Sequence, residues 1–257
     1  FRHLVMRDIT RGHLEDLKLR LLQSCASRRA AQETLKSVKI VLSEAYHRQE
    51  IAQNPGDKVT LKVKSKDRDV LTPAELRTIL HEVLTPERNV VERVYFSHLI
   101  LTGARVTESR SIKWEDLDLK AGTLDLHRNV KWHKSRSTVL PALLIERLKE
   151  WKRTAEYTGG DDYVFGAPWS SGEPIGSTWV RKHWDLVITA AEGLEEDKRI
   201  RLEERKITPH CLRKSMNMML LAERLPALDI IAYLGWSDDA TAHIAAAQQY
   251  YTDLRLL

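Results

Sequence analysis

The chain has 257 residues, with 41 Lys and Arg against 36 Asp and Glu, a net charge of +5 and a pI near 9.1. Its 42% hydrophobic and 30% charged content is that of a globular protein and excludes a disordered chain. No apolar run approaches the roughly 18 residues that a membrane-crossing helix needs, and two cysteines, Cys25 and Cys211, exclude a disulfide scaffold or a Cys-rich zinc site.

At about 150 residues per domain the length allows one or two domains. No secretory signal is visible, and the cysteine usage fits a reducing cytoplasm. The first residue is Phe1, which suggests that an N-terminal part has been removed. Charge is unevenly spread. Residues 1–70 hold fifteen Lys and Arg against nine Asp and Glu, a net of +6, whereas residues 71–257 are close to neutral at −1. The densest basic run is Lys58, Lys62, Lys64, Lys66 and Arg68. It reads either as a solvated linker or as a strap that tracks a polyanion, in which case binding falls steeply with salt.

Residues 10–24 read as a helix capped by Thr10, with Leu14, Leu17 and Leu21 on one face. A second amphipathic helix spans 27–49, with Leu35, Val38, Val41, Leu42 and Ala45 on one stripe. Asn54-Pro55-Gly56-Asp57 is a turn. The first unit, residues 1–56, is thus small and helical, and 57–70 form an extended basic connection. The second unit, 71–257, opens with Thr72 as a helix cap, Pro73 at the first helical position and Glu75 completing a capping box. A helix over 90–101 is apolar enough to be central. Residues 122–141 change period: 123–126, 129–131 and 137–141 read as short strands around a polar hairpin. Helices follow at 142–155, 177–192, 208–223, 227–234 and 238–253, and the charged stretch 193–206 reads as a surface insertion. The fold class is mainly α with a small antiparallel sheet.

Four stretches carry chemistry. In Thr102-Gly103-Ala104-Arg105-Val106-Thr107-Glu108, Arg105 stands at a turn or helix start with Glu108 three residues on, either an Arg–Glu fastening or an anion site. The hairpin Val130-Lys131-Trp132-His133-Lys134-Ser135-Arg136 is either a solvated turn or a tip that brings a lysine to a leaving oxygen as general acid. In Thr208-Pro209-His210-Cys211-Leu212-Arg213, a helix N-terminus, an imidazole and a guanidinium lie together, which suits an anion. The fourth is Leu234-Gly235-Trp236-Ser237-Asp238, followed by a helix ending in Tyr250-Tyr251-Thr252-Asp253.

Arg-x-x-Glu, a hairpin Lys, His-x-x-Arg, Gly-Trp and a near-terminal Tyr, in that order, resemble the tyrosine recombinase (phage integrase) family over nearly the whole chain. Residues 8–55 resemble its helical core-binding, DNA-binding domain and 71–257 its α+β catalytic domain. The resemblance implies site-specific cleavage and rejoining of DNA through a 3′-phosphotyrosyl link, in the integration or excision of a phage or mobile element. It implies that Arg105 and Arg213 bind the scissile phosphate and that Glu108 supports the first arginine. His210 and Trp236 would donate to the same phosphate, and Lys131 would protonate the 5′ oxygen. Lys131 fits the family's Lys-x-x-Lys-x-Arg pattern better than Lys134 does. The nucleophile would be Tyr251, with Tyr250 as the alternative. Adjacent residues on a helix point about 100° apart, so only one serves a given geometry.

The phosphotyrosyl link conserves the phosphodiester energy, so no cofactor, ATP or metal is implied, and no Walker loop or two-metal carboxylate cluster is seen. Lys58, Lys62, Lys64, Lys66, Arg68, Lys134 and Arg136 are expected on DNA phosphates. The partners implied are double-stranded recombination sites, a tetramer on DNA and accessory DNA-bending proteins, in the nucleoid of a bacterial cell. The stretch between Trp236 and Tyr251 is longer than in many members, which leaves open cleavage in cis or exchange of the tyrosine helix between protomers. Two alternatives remain: a type IB topoisomerase with the same chemistry, and a non-catalytic DNA-binding relative.

Overall fold

The computed structural model describes residues 4–63, 69–128, 135–167, 172–200, 202, 205–222, 230 and 234. The expected strand at 129–131 and the helices expected at 227–234 and 238–253 lie outside these residues, apart from Ile230 and Leu234. The chain divides into two compact units, Phe1–Asp67 and Arg68–Leu257.

In the first unit, α1 (Arg11–Ser24) and α2 (Arg28–His47) pack against each other. Thr10 caps α1 and Ser27 caps α2, each accepting a backbone amide of the first turn. Leu14, Leu35, Leu42, Ala45, Ile51 and Val59 form the core. Val59 lies beyond the turn at Gly56, in the run read as a connection. It is fully buried because the segment alternates: Val59 turns inward, Lys58, Thr60 and Lys62 face solvent, and Leu61 is half-buried. Lys39 Nζ donates to the Val59 carbonyl at 2.9 Å and Gln32 Nε2 to that of Leu61 at 2.8 Å.

In the second unit, α3 (Pro73–Thr78) begins with the expected box: Thr72 Oγ1 accepts the Glu75 amide and Glu75 Oε2 accepts the Thr72 amide. It continues into a π-helical turn, Ile79–Val83. Helix α4 (Val90–Thr102) runs through the core, and every residue in it except Val90 and Leu101 is buried. Most of its polar side chains therefore find partners, the Tyr95 hydroxyl excepted among the described residues. Glu92 meets Arg88 and His183, Arg93 meets Glu150, Ser97 meets Arg147, and His98 meets Ser109. Helices α6 (Ala142–Thr154) and α8 (Pro209–Ala222) pack on α4, and α7 (Ser177–Glu192) packs on α8. Tyr95 sits edge-on to Phe165, with centroids 4.9 Å apart, inside this core.

The sheet has three antiparallel strands in the order β1 (Leu117–Asp118), β2 (Thr123–Leu126), β3 (Arg136–Val139). In it Leu117 pairs with Leu124 and Leu126 with Arg136. The two-residue β1 was not expected, because too few residues alternate there to signal a strand. The stretch 193–206 is also less superficial than its charge suggests. Ile200 and Leu202 are buried in the core, and Arg205 binds Glu75 and the Val70 carbonyl.

Candidate active site

Helix α4 ends at Gly103, whose φ of +60° is the left-handed conformation that glycine adopts at little cost. The chain then turns, and Arg105 becomes the residue that precedes α5 (Val106–Arg110). Glu108, in the first turn of α5, reaches back: Oε2 accepts the Arg105 amide at 2.9 Å and Oε1 accepts its guanidinium. The turn is held from below as well. Ser109 Oγ donates to the Arg105 carbonyl at 3.0 Å and lies 3.1 Å from His98 Nε2. Since the single hydroxyl proton goes to Arg105, His98 is assigned as the Nε2–H tautomer, donating to Ser109. Burial, reinforced by the charge of Arg136, lowers the His98 imidazole to about 3, so it is neutral at neutral pH.

Glu108 is fully buried and still ionised. Burial alone would raise its pKa. The hydrogen bond from Arg136, the Arg105 amide, the charge of Arg136 and the hydrogen bond from the Arg105 guanidinium outweigh that and hold it at about 2. Arg136 Nη2 lies 3.0 Å from Oε2. Its side chain is only 6% exposed, so it does not stand on the surface where a phosphate-tracking cation was expected.

Arg213 enters from α8. Its Nη1 donates to the Gly103 carbonyl at 2.8 Å and its Nη2 to that of Leu234. Burial, then the nearby charges of Arg105 and Arg136, lower its guanidinium to about 9, still cationic at neutral pH. Two guanidiniums thus meet one carboxylate while a third stands within reach of their charges, an excess of positive charge that suits a multiply charged anion. His210 is exposed at the start of α8, where the helix dipole adds to that field. Cys211 follows it, with its thiol buried 3.4 Å from Thr208 Oγ1.

The structure therefore brings Arg105, Glu108 and Arg213 together and adds Arg136, with His210 at the first turn of the helix that carries Arg213. Lys58 and Lys62 are exposed on the first unit. Lys64, Lys66, Arg68, Lys131, Lys134, Trp236, Tyr250 and Tyr251 lie outside the described residues. Sequence reasoning missed His98 and Ser109. A histidine in an apolar helix, eleven residues before a serine, carries no local signal of that contact. Among the described residues no group of His, Cys, Asp and Glu is arranged to hold a metal ion, and no helix is long and apolar enough to cross a membrane.

The second unit is thus mainly helical with a three-stranded sheet, and it holds Arg105 and Arg136 on the buried carboxylate of Glu108. The chain belongs to the phage integrase family, whose model matches residues 69–252. It is 30% identical over 145 residues to a probable integrase/recombinase of Methanocaldococcus jannaschii, covering 56% of this chain and 42% of that one. It is 21% identical over 165 residues to the ICEBs1 integrase of Bacillus subtilis, covering 59% and 44%. The chain thus spans less than half the length of these curated relatives. Its fold is similar to that of the Tn1549 transposon integrase in complex with circular intermediate DNA. There the TM-score is 0.69 at 15% identity, over 91% of this chain and 80% of that one.

Proposed function

We propose that this chain is a site-specific tyrosine recombinase that cleaves and rejoins double-stranded DNA. The observation that carries the reading is the pairing of Arg105 and Arg136 with the buried carboxylate of Glu108, with Arg213 close enough for their charges to act on it. Such a pocket lowers the energy of a phosphorane, which carries more negative charge than the phosphodiester it forms from. Arg105 and Arg213 bind the non-bridging oxygens, and His210 and Trp236 donate to the same phosphate. The phenol oxygen of Tyr251, or of Tyr250, attacks phosphorus and gives up its proton. The bond to the 5′ oxygen breaks, and Lys131 protonates that oxygen as it leaves. A phenol has a pKa near 10, so the cationic pocket is what makes attack at neutral pH feasible.

The product is a 3′-phosphotyrosyl link and a free 5′ hydroxyl, and reversal by another strand's hydroxyl rejoins the DNA. No step calls for ATP or a metal. The first unit, with Lys58 and Lys62 exposed, adds phosphate contacts, and a tetramer would bring two duplexes together. The integrase and recombinase relatives favour this reading over relaxation by a type IB topoisomerase.

The test is adduct formation on nicked suicide duplexes in EDTA. Wild type should form a covalent protein–DNA adduct that is lost in either Tyr250→Phe or Tyr251→Phe, and Arg105→Ala should slow it by about 10²–10³-fold. A wild-type chain that binds the duplex yet forms no adduct in EDTA would overturn the reading.

A further inference from the structure

Arg136 was expected to hold a DNA phosphate, but its surroundings assign it different work. It opens β3 opposite Leu126 and turns its side chain inward, where Nη2 meets Glu108 Oε2 at 3.0 Å. That same oxygen accepts the Arg105 amide, and the other oxygen of the carboxylate holds the Arg105 guanidinium. The segment that follows β2 reaches the same region. Ser111, which follows α5, donates Oγ to the Glu108 carbonyl at 2.8 Å and lies 3.3 Å from the Arg128 carbonyl, and Arg128 binds Asp116 at 3.0 and 3.2 Å. The sheet and the arginine turn therefore meet through polar contacts to buried carboxylates.

We propose that Arg136 is a positioning residue that sets the place and charge of Arg105 through Glu108 and does not itself touch DNA. This rests on the recombinase reading above. Two consequences follow from one carboxylate sharing two cations. Arg136 fixes the carboxylate, so the Arg105 fork it carries is aimed. It also takes part of the carboxylate's acceptor capacity, so Glu108 does not neutralise Arg105 completely and the guanidinium keeps its attraction for a phosphate.

The experiment compares wild type, Arg136→Ala, Arg136→Lys, Glu108→Gln and the double variant Arg136→Ala/Glu108→Gln as full chains. Affinity for the nicked duplex is measured at several salt concentrations, and the single-turnover rate of adduct formation at saturating protein. Arg136→Ala should slow adduct formation by about 10–10²-fold, the scale of a misplaced catalytic group. The salt dependence of affinity should keep its wild-type slope, because no phosphate contact is lost, Arg136→Lys should recover part of the rate, and the double variant should be no slower than the slower single one. A duplex with sulfur in place of the scissile 5′ oxygen, whose thiolate departs without a proton, should leave Arg136→Ala just as slow relative to wild type.

Three results would overturn the proposal. Multiplying rate losses in the double variant would remove Glu108 as the intermediary. A salt slope shallower by about one would make Arg136 a phosphate contact. Recovery of the wild-type rate on the sulfur substrate would assign it to leaving-group protonation. Should Arg136→Ala not fold, Arg136→Lys and Arg136→Gln carry the same comparison. Failure of the recombinase reading is separable, because wild type itself would then form no adduct, and the proposal would fall with it.

Discussion

Glu108 stays ionised although no part of its side chain meets solvent, and His98, four residues from the end of α4, stays neutral for the same burial. The two make acid stability readable residue by residue. Between an ordinary histidine value near 6.5 and about 3, an unfolded chain binds a proton at His98 that the folded chain does not. Stability therefore falls as pH drops through that window, by up to about 1.4 kcal/mol per pH unit. Glu108 adds a second loss, starting near its ordinary value of about 4.3 and ending near 2. His98→Gln should flatten the dependence of the urea midpoint on pH between 6 and 4.5 while leaving the steep fall below 4. An unchanged slope there would mean that another group drives the upper part. Glu108→Gln should remove the lower component and destabilise at neutral pH by about 3 kcal/mol, because two guanidiniums lose their shared counter-charge. The Arg105–Glu108 pair was legible in the sequence because three-residue spacing at a helix start is a local rule. Arg136 was not, because its partner lies 28 residues away.

Elements defined by caps were legible to within a residue or two. Thr10 before α1 and Thr72-Pro73 with Glu75 before α3 are satisfied by neighbouring amides, so sequence alone is enough to place them. Strand β3 obeys no such rule. Thr138 is buried and Val139 is 67% exposed, which inverts the usual apolar-in alternation. Arg136 shares the inward face with Thr138, so a reading by hydropathy turns it outward. The loop between α4 and α5 makes a further prediction. A Cβ on Gly103 would lie 2.8 Å from Leu234 Cδ2 and 3.3 Å from Met216 Cβ, at a φ that already disfavours alanine. Gly103→Ala should cost about 2–4 kcal/mol, from backbone conformation and overpacking together. It should also slow adduct formation, because the Gly103 carbonyl anchors Arg213. Chemical denaturation and the suicide-duplex assay read the two effects separately. Wild-type stability in Gly103→Ala would mean that Leu234 does not seal this turn.

At the scale of the molecule, the basic excess of the first seventy residues reads as affinity and the neutral remainder as chemistry. Lys58→Ala and Lys62→Ala should each make the plot of log affinity against log salt shallower by about 0.9, without changing the adduct rate once DNA is saturated. Slopes equal to wild type would move the DNA path off this segment. The first compact unit runs to Asp67, past the turn at Gly56. Val59 and Leu61 are too few among lysines to announce that they complete a core.

The bond from Arg213 to the Gly103 carbonyl joins residues 110 positions apart. A ribosome adding about 5–20 residues per second needs roughly 5–20 s to cover that distance. Throughout that interval Arg105 and Glu108 exist on the nascent chain while the second arginine has yet to be made. The cluster around Glu108 is therefore incomplete on the nascent chain until α8 has been synthesised and packs onto α4.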